Sequence, residues 1–162
     1  VRARTISGMK EINEKINRAL KAGGYAVGAD VKITEIPGYL PILRYPEYDE
    51  IFANNLVECG VKAEDIIDGG DFTGSFDFGD ISHLMPTIHP MIAGVKGALH
   101  TREYEIIDEK IAYILPAKAM ALTIVDLLFD NAQKANEILD KFEAKMTKEE
   151  YLEYLEENDK TI

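Results

Sequence analysis

The sequence predicts an α/β protein in which helices flank a sheet, preceded by a smaller α+β segment. Three patterns indicate this class. Apolar residues from Met9 to Leu20 recur at steps of three and four, as on one face of a helix. Val31 and Ile33 alternate with polar neighbours, which is the period of a half-buried strand. The run from Thr87 to Val95 is almost continuously apolar, which suits a strand covered on both faces.

The first 36 residues are predicted to form the end of a strand, a helix and a second strand. Ser7 can cap the helix, because a serine hydroxyl accepts a hydrogen bond from a free N–H of the first turn. The pair Gly23-Gly24 can end it. Pro37-Gly38 and Pro41 then break the pattern, so we predict a domain boundary there.

The rest of the sequence is predicted to be helix-rich. A helix from Pro46 to Gly60 fits the tolerance of proline in a first turn. Another begins near Asp108, and Pro116 must kink or restart it, because proline lacks an N–H and clashes with the preceding turn. Residues 117–129 are apolar on nearly every side, which predicts a buried helix. Thr147 to Glu150 have the sequence of a capping box.

Charge and composition disfavour several kinds of partner. The net charge of −11, from 18 basic and 29 acidic side chains, would repel nucleic acid and an anionic membrane. Cys59 is the one cysteine, so an internal disulfide is excluded and a cytoplasmic location is predicted. No apolar run approaches about 18 residues, so no membrane span is expected. The sequence starts at Val1 within a strand-to-helix passage, as expected for a piece of a longer chain.

His100 is the first candidate functional residue. It follows the predicted strand at 87–95 and precedes a helix, which is the usual position of active-site groups in α/β folds. Imidazole is a common ligand of zinc, but a catalytic zinc needs about three protein ligands. The alternative is that His100 bonds a backbone carbonyl at the approach to the helix.

A turn formed by Gly74, Ser75 and Asp77 is the second candidate. Glycine and serine in a turn can present N–H groups and a hydroxyl to an anion, and Asp77 can orient a neighbouring group. The alternative is an ordinary turn that caps the following helix, and spacing alone favours it. Spacing assigns no role to His83, and His89-Pro90 is interpreted as a structural pair at the edge of a strand.

Two longer motifs contain these candidates: Gly74 to Pro90, GSFDFGDISHLMPTIHP, and Gly97 to Tyr104, GALHTREY. Together they resemble the C-terminal third of the zinc amidohydrolases of the aminoacylase and glutamate-carboxypeptidase family, in the branch that includes p-aminobenzoyl-glutamate hydrolase. The segments Ala29–Pro41 and Ala117–Asp130 are similar to the same family. The resemblance extends over roughly residues 1–130.

The resemblance implies a catalytic domain with a sheet between helices and a smaller inserted α+β lid that usually mediates dimerisation. Residues 1–38 would then be part of the lid, 39–130 the C-terminal part of the catalytic domain, and 131–162 a helical tail. It also implies two metal ions, zinc or manganese, in the parent enzyme, with His100 as a metal ligand. The implied substrate-binding residues are Gly74, Ser75, Asp77 and His83.

The family's general base and most of its metal ligands lie upstream of any segment in this sequence, so no catalytic residue is assigned. The sequence therefore predicts a C-terminal fragment of a metal-dependent amidohydrolase or peptidase. The parent would hydrolyse the amide bond of an N-acyl amino acid or a small dipeptide, whereas the fragment alone would be inactive and hold no metal. It would form a homodimer or need the missing N-terminal half. The alternative is a non-catalytic interaction subunit or one half of a split enzyme.

Overall fold

The computed structural model describes residues 1–70 and 74–162, which are mainly helical. The sequence pattern at 61–73 favours neither a helix nor a strand, and the last of these residues, 71–73, lie outside the described ranges. The elements are α1 (Ile6–Ala26), β1 (Thr34–Glu35), α2 (Pro46–Glu58), a 3-10 turn (Ala63–Asp65), α3 (Phe78–Ser82), β2 (Val95–Lys96), β3 (Glu105–Ile106), a π-helical turn (Lys110–Ile114), α4 (Leu115–Lys141), α5 (Lys148–Asn158) and β4 (Lys160–Thr161).

The described chain divides into two compact units, each made of separate stretches of sequence. The first unit contains residues 1–43, 74–85 and 143–162, and the second contains 44–70 and 86–142. Each unit holds one two-stranded antiparallel sheet: β1 pairs with β4 in the first, and β2 with β3 in the second. The division predicted at residues 38 and 130 stays a prediction.

The strand predicted at 87–95 is wrong for the described residues, since only Val95 belongs to a strand. Pro90 has no N–H to donate to a neighbouring strand, and Gly94 takes a φ of 96°, which ends extended structure. Met91 is 64% exposed rather than covered on both faces. The helix-flanked sheet of the α/β prediction and the α+β lid stay predictions.

The cap and the end of α1 differ from those predicted. Thr5, not Ser7, is the cap, and its Oγ1 accepts from the N–H of Gly8 at 3.0 Å. The helix continues past Gly23-Gly24 to Ala26. Gly24 is buried, and a Cβ there would collide with the side chain of Val31, so this glycine permits close packing rather than ending the helix.

Two predicted helix starts are confirmed. α2 begins at Pro46. α5 begins with a complete capping box: Thr147 Oγ1 accepts from the N–H of Glu150 at 3.1 Å, and Glu150 Oε2 accepts from the N–H of Thr147 at 2.7 Å. Each arrangement satisfies or removes an N–H that a first helical turn would otherwise leave without a partner.

The predicted restart at Pro116 is also confirmed. Because proline has no N–H, the carbonyl of Ala112 lacks its α-helical donor, and the preceding turn widens into the π turn. The N–H of Leu115 donates to the carbonyl of Lys110, five residues back. Asp108 caps this region as predicted, since its Oδ1 accepts from the N–H of Ile111 at 3.0 Å.

The predicted burial of residues 117–129 is wrong. Within α4, only Ala119, Thr123 and Ile138 are buried, whereas Ile124 is 56% exposed. α2 covers one side through Phe52 and Leu56, which pack with Ala119 in the core of the second unit. The described helix from Lys110 to Lys141 is long and apolar enough to cross a membrane by length and composition alone.

α4 contains a sharp kink at Phe129–Ala132. Asp130, Asn131 and Ala132 have φ angles of 49°, 58° and 60°, in the left-handed region. A side chain in that region costs roughly 1–2 kcal/mol per residue, because Cβ approaches the following carbonyl oxygen. α4 is therefore two helical segments joined by a strained corner.

Candidate functional site

His100 lies in the loop of the hairpin that β2 and β3 form in the second unit. The strands pair Val95 with Ile106 and Lys96 with Glu105, and the Lys96 ammonium lies 2.5 Å from the Glu105 carboxylate. Gly97 has a φ of 84°, and a Cβ there would collide with a backbone carbonyl across the loop. The hairpin therefore needs glycine at its first loop position.

The base of this hairpin is fixed to the start of the helical region. The carbonyl of Gly94 accepts from the N–H of Ile107 at 2.9 Å and from that of Asp108 at 3.1 Å. A Cβ on Gly94 would lie 2.8 Å from the nitrogen of Ala112 and 2.9 Å from the Asp108 carbonyl oxygen. Hairpin and π turn are thus in direct contact, and only glycine permits that approach.

The backbone of His100 is left-handed, with a φ of 65°, and its side chain is exposed. Among residues 1–70 and 74–162, no hydrogen bond to its imidazole is present, so the alternative of a bond to a backbone carbonyl is not observed. Both ring nitrogens are open to solvent or to a ligand. Because strained left-handed residues other than glycine concentrate at functional sites, this conformation keeps His100 as a candidate functional residue.

The described chain does not complete a metal site around His100. No group of three or more histidine, cysteine, aspartate or glutamate side chains lies close enough in the described ranges to hold a metal ion. A catalytic zinc takes about three protein ligands. His100 can therefore supply one ligand, and its role in metal binding stays a prediction.

His83 lies at the end of α3 in the first unit and is only 4% exposed. Its Nε2 is 2.9 Å from the carbonyl oxygen of Pro41. That oxygen can only accept, so Nε2 donates. The carbonyl of His83 accepts from the N–H of Lys145 at 2.9 Å, and Nδ1 is buried with no hydrogen-bond partner in the described chain. These contacts give His83 a structural role, and its predicted substrate contact stays a prediction.

Gly74, Ser75 and Asp77 are exposed residues ahead of α3. Asp77 Oδ1 accepts from the N–H of Phe78 at 3.1 Å, as a helix cap does. The alternative of a capping turn is therefore observed for Asp77. Substrate binding by Gly74 and Ser75 stays a prediction.

Sequence reasoning missed the polar residues of α3 that hold the segment 40–43. Asp80 Oδ1 accepts from the N–H of Leu40 at 2.8 Å, and Ser82 Oγ accepts from the N–H of Leu43 at 2.9 Å. Burial raises the pKa of Asp80, against the opposing effects of the Leu40 N–H and the Tyr151 hydroxyl. The sequence carries no local signal for these bonds, because their partners lie 40 and 39 residues away; in the structure a Cβ on Gly79 would also collide with the Leu40 carbonyl oxygen.

A second polar cluster, also missed, joins α2 to α4. Asn55 Nδ2 lies 2.7 Å from Asp126 Oδ2, 3.2 Å from Thr123 Oγ1 and 3.1 Å from the carbonyl oxygen of Ile51. Beside it is an open cavity of about 470 Å³ whose charged lining includes Glu47 and Lys141, paired at 3.3 Å. Asn55 follows Ile51 by four residues on the inward face of α2, which was the sequence signal for its burial.

Comparison with known proteins points to peptidases. The chain is 27% identical over 159 residues to an Xaa-Arg dipeptidase of Mus musculus, covering 93% of this chain and 36% of the relative. It is 28% identical over 163 residues to an Xaa-Arg dipeptidase of Homo sapiens, covering 96% of this chain and 37% of the relative. No family profile and no solved structure matches significantly. The chain thus spans just over a third of the curated relatives it matches, and the similarity supports a peptidase family.

Proposed function

We propose that this chain is part of a metal-dependent peptidase or amidohydrolase that hydrolyses the amide bond of a dipeptide or an N-acyl amino acid. The observation that carries the proposal is the similarity to two dipeptidases over more than nine-tenths of the chain. Because the match spans only 36–37% of those relatives, the remaining catalytic groups belong to polypeptide outside the match. The chain alone is then inactive.

His100 is the residue of this chain that we assign to the metal. Its exposed imidazole, held by the Gly94 and Gly97 turns, supports this assignment. As a neutral ring it would offer one nitrogen lone pair to zinc or manganese, and the other ligands would come from outside this chain. The ion, when bound, would act as a Lewis acid toward the scissile carbonyl.

The names of the relatives suggest the first substrates to test, dipeptides with a C-terminal arginine. The net charge of −11 supports a cationic substrate, since it favours the approach of positive charge. N-acyl amino acids form the second group of test substrates. Ser75→Ala, assayed separately, tests the proposed substrate contact of the Gly74-Ser75 turn.

The test compares this chain with the product of any coding sequence found upstream of Val1, in the presence of zinc or manganese. We expect no turnover by this chain alone and measurable dipeptide hydrolysis by the longer or combined product. His100→Ala should then lower kcat/KM by at least about 100-fold, because even indirect partners of a catalytic metal are worth about 10- to 100-fold.

His89→Ala is the matched control, because His89 is an exposed histidine of the same unit. We expect its kcat/KM to stay near that of the unmodified enzyme. Hydrolysis by the isolated chain would contradict the fragment proposal. A longer product that cleaves neither dipeptides nor N-acyl amino acids would contradict the peptidase itself.

A non-catalytic interaction subunit or half of a split enzyme is the second candidate, and the exposed apolar residues of α4 favour it. In a split enzyme, activity appears when two separately encoded chains are mixed. In an interaction subunit, no mixture produces activity. A homodimer, a cytoplasmic location and the absence of nucleic-acid or membrane partners stay predictions.

A further inference from the structure

The exposed side of α4 forms a continuous apolar area in the second unit, which we call the α4 apolar surface. Its side chains lie between 38% and 75% exposed. A contiguous exposed area of large apolar side chains is unusual on a protein that works as a monomer, and it marks an interaction site. The residues are Met120, Leu122, Ile124, Val125, Leu128 and Phe129.

α2 cannot cover this surface, because it is already fixed on another side of α4. Ala119 is completely buried against Phe52 and Leu56. On the same side, Asn55 bonds both Thr123 and Asp126. A rotation of α4 that turned Ile124 inward would break those bonds and leave buried polar groups without partners, which costs about 1–3 kcal/mol for each group.

The surface has a clear end on its C-terminal side, whereas on its N-terminal side exposed apolar residues continue to Tyr113 and Ile114 of the π turn. The π turn and Pro116 precede it, and the left-handed corner at Asp130–Ala132 follows it. Beyond the corner, the exposed side chains of α4 become mostly polar, as in Gln133, Lys134 and Glu137. Exposed apolar side chains therefore become sparse beyond the corner, where Leu139 is the exception.

A lipid bilayer does not fit this segment. The helix passes a test of length and composition for a membrane span, but Lys118 and Asp126 would place two charges within it, and charged side chains inside a bilayer are costly. The non-helical backbone at Phe129–Ala132 would also place N–H and carbonyl groups without helical partners in hydrocarbon. None of the six side chains of the surface is charged, and exposed Lys118 borders it one turn before Leu122, so a complementary partner surface is mainly apolar.

We propose that the α4 apolar surface docks against the part of a longer peptidase chain that lies outside the match to the dipeptidases. This inference rests on the proposed function. Close to two thirds of each relative is unmatched, which is enough polypeptide to supply an apolar face. Docking there would bring the hairpin of His100 close to the unmatched part of the longer chain. The reason is that the Gly94 contacts join this hairpin to the start of the helical region.

The test measures the accessibility of single cysteines to a polar maleimide. Cys59 is first replaced by serine, and then Ile124→Cys reports on the surface while Gln133→Cys, beyond the corner, is the matched control. Each variant is labelled in the isolated chain and in the longer assembly. The longer assembly is either one continuous chain that includes the upstream-encoded polypeptide or a mixture of the two separate chains. We expect labelling at position 124 to slow by at least about tenfold in the longer assembly, as for a group that must wait for local opening, with position 133 unchanged.

Dipeptide hydrolysis is measured on the same assemblies, so that the two proposals fail separately. An active assembly in which position 124 labels as fast as in the isolated chain overturns the docking surface and leaves the proposed function standing. Protection at position 124 without hydrolysis supports docking and contradicts the proposed peptidase activity. The absence of any upstream coding sequence overturns both.

Two further outcomes would assign the surface to another occupant and overturn the proposal. Protection of position 124 in the isolated chain that increases with protein concentration would indicate a second copy of this chain. Protection by vesicles of neutral phosphatidylcholine, with flotation of the chain, would indicate a membrane. A monodisperse isolated chain that labels rapidly at position 124 supports the proposal.

Discussion

The side-chain amide of Asn55 donates to the carboxylate of Asp126 over 2.7 Å and thereby joins α2 to α4. Asn55 is only 5% exposed. Its neighbours in the sequence, Phe52 and Leu56, pack against Ala119 at the same helix interface. The interface therefore combines apolar packing with two directional polar contacts, from Asn55 to Asp126 and to Thr123, which fix the rotation of α4 relative to α2.

Asn55→Ala should reduce the free energy of unfolding by about 0.5–1.5 kcal/mol, because it removes the hydrogen bonds of a buried amide, whereas the exposed Asp126 carboxylate stays hydrated. Urea unfolding followed by circular dichroism measures the change. Asn54→Ala is the control, since Asn54 is the exposed neighbour on the same helix. An equal loss in the two variants would show that the Asn55 contacts contribute nothing specific.

Gly79→Ala should destabilise the first unit, because the added Cβ would collide with the backbone carbonyl oxygen of Leu40. Overpacking of this kind costs about 1–3 kcal/mol, and a backbone atom cannot move aside as a side chain can. The midpoint of thermal unfolding gives the measurement. Gly38→Ala adds its methyl group to open space and should change the midpoint little. Similar midpoints for both variants would contradict the close approach.

Glu35→Gln should lower stability in a pH-dependent way. A hydrogen bond from Asn17 lowers the pKa of Glu35 from its ordinary value of 4.5, assisted by Asn13 and Lys160 and opposed by burial. The folded chain then binds fewer protons at Glu35 than the unfolded chain, so the stabilisation is present above the unfolded pKa and disappears as pH falls through the folded pKa.

We therefore expect the difference between wild type and Glu35→Gln to be largest near neutral pH and to close in acid, as measured by urea unfolding across that range. Glu14→Gln, at an exposed position of α1 next to Asn13, is the control and should show no such trend. A difference that stays constant down to acid pH would refute the contribution of the Glu35 charge.

Asp80→Asn should show the opposite trend. Burial raises the pKa of Asp80 above its ordinary value of 3.8, so the folded chain holds its proton to higher pH than the unfolded chain. The stability contributed by this group is complete below the unfolded pKa and is lost as pH rises through the folded pKa. Asparagine keeps an acceptor oxygen for the N–H of Leu40, so only the charge is removed.

The stability of wild type relative to Asp80→Asn should thus decline between acid and neutral pH. Guanidinium unfolding at a series of pH values measures this decline. Asp30→Asn changes an exposed carboxylate of the same unit and should leave the pH profile as it is in wild type. If the stability of wild type relative to Asp80→Asn increased with rising pH, the raised pKa of Asp80 would be contradicted.

Ala132→Gly should stabilise the chain, because Ala132 has a φ of 60° and glycine adopts that conformation without a steric penalty. We expect a gain of about 1 kcal/mol. Ala135→Gly, in regular helix three residues later, should instead cost about 0.5–1 kcal/mol. Calorimetry on both variants tests this prediction, and a loss in both would contradict a left-handed corner in solution.

Local chemistry made some elements predictable from the sequence. Pro46, Pro116 and the Thr147–Glu150 capping box act through donors within one helical turn, so their effects do not depend on the rest of the fold. The start of α1 was displaced by two residues, because Thr5 and Ser7 are both capable caps and sequence cannot rank them. These features concern helix ends only.

Burial was harder to predict. The apolar runs at 87–95 and 117–129 were expected in the interior, but 117–129 is largely exposed, and 87–95 is mixed, with Met91 exposed and Ile88 and Ile92 partly buried against the core. Apolar character shows that a segment favours a partner but does not identify the partner. Asn55 and Asp80 were missed for the converse reason, because the partners of a polar residue that is buried lie far away in the sequence.

For the candidate site, the sequence singled out His100, and the structure adds its exposed, left-handed position in a hairpin loop. The sequence also placed His83 among the candidates, but in the structure the His83 ring is buried against the carbonyl of Pro41. Spacing could not separate the two histidines, because solvent access depends on elements such as α5 and the segment after Pro37, which approach α3 only in the folded chain.

The π turn before α4 makes the direction of the His100 hairpin a matter of residue count. One residue of an α-helix corresponds to about 100° of rotation, and the π turn accommodates one extra residue before the regular helix starts at Leu115. Deleting a single residue from 110–114 would remove this extra residue, while Pro116 would still leave one carbonyl without its α-helical donor. The deletion would also turn the Gly94 contact, and His100 with it, about a quarter-turn around the axis of α4. The orientation of the hairpin that carries His100 therefore depends on the one extra residue in the π turn.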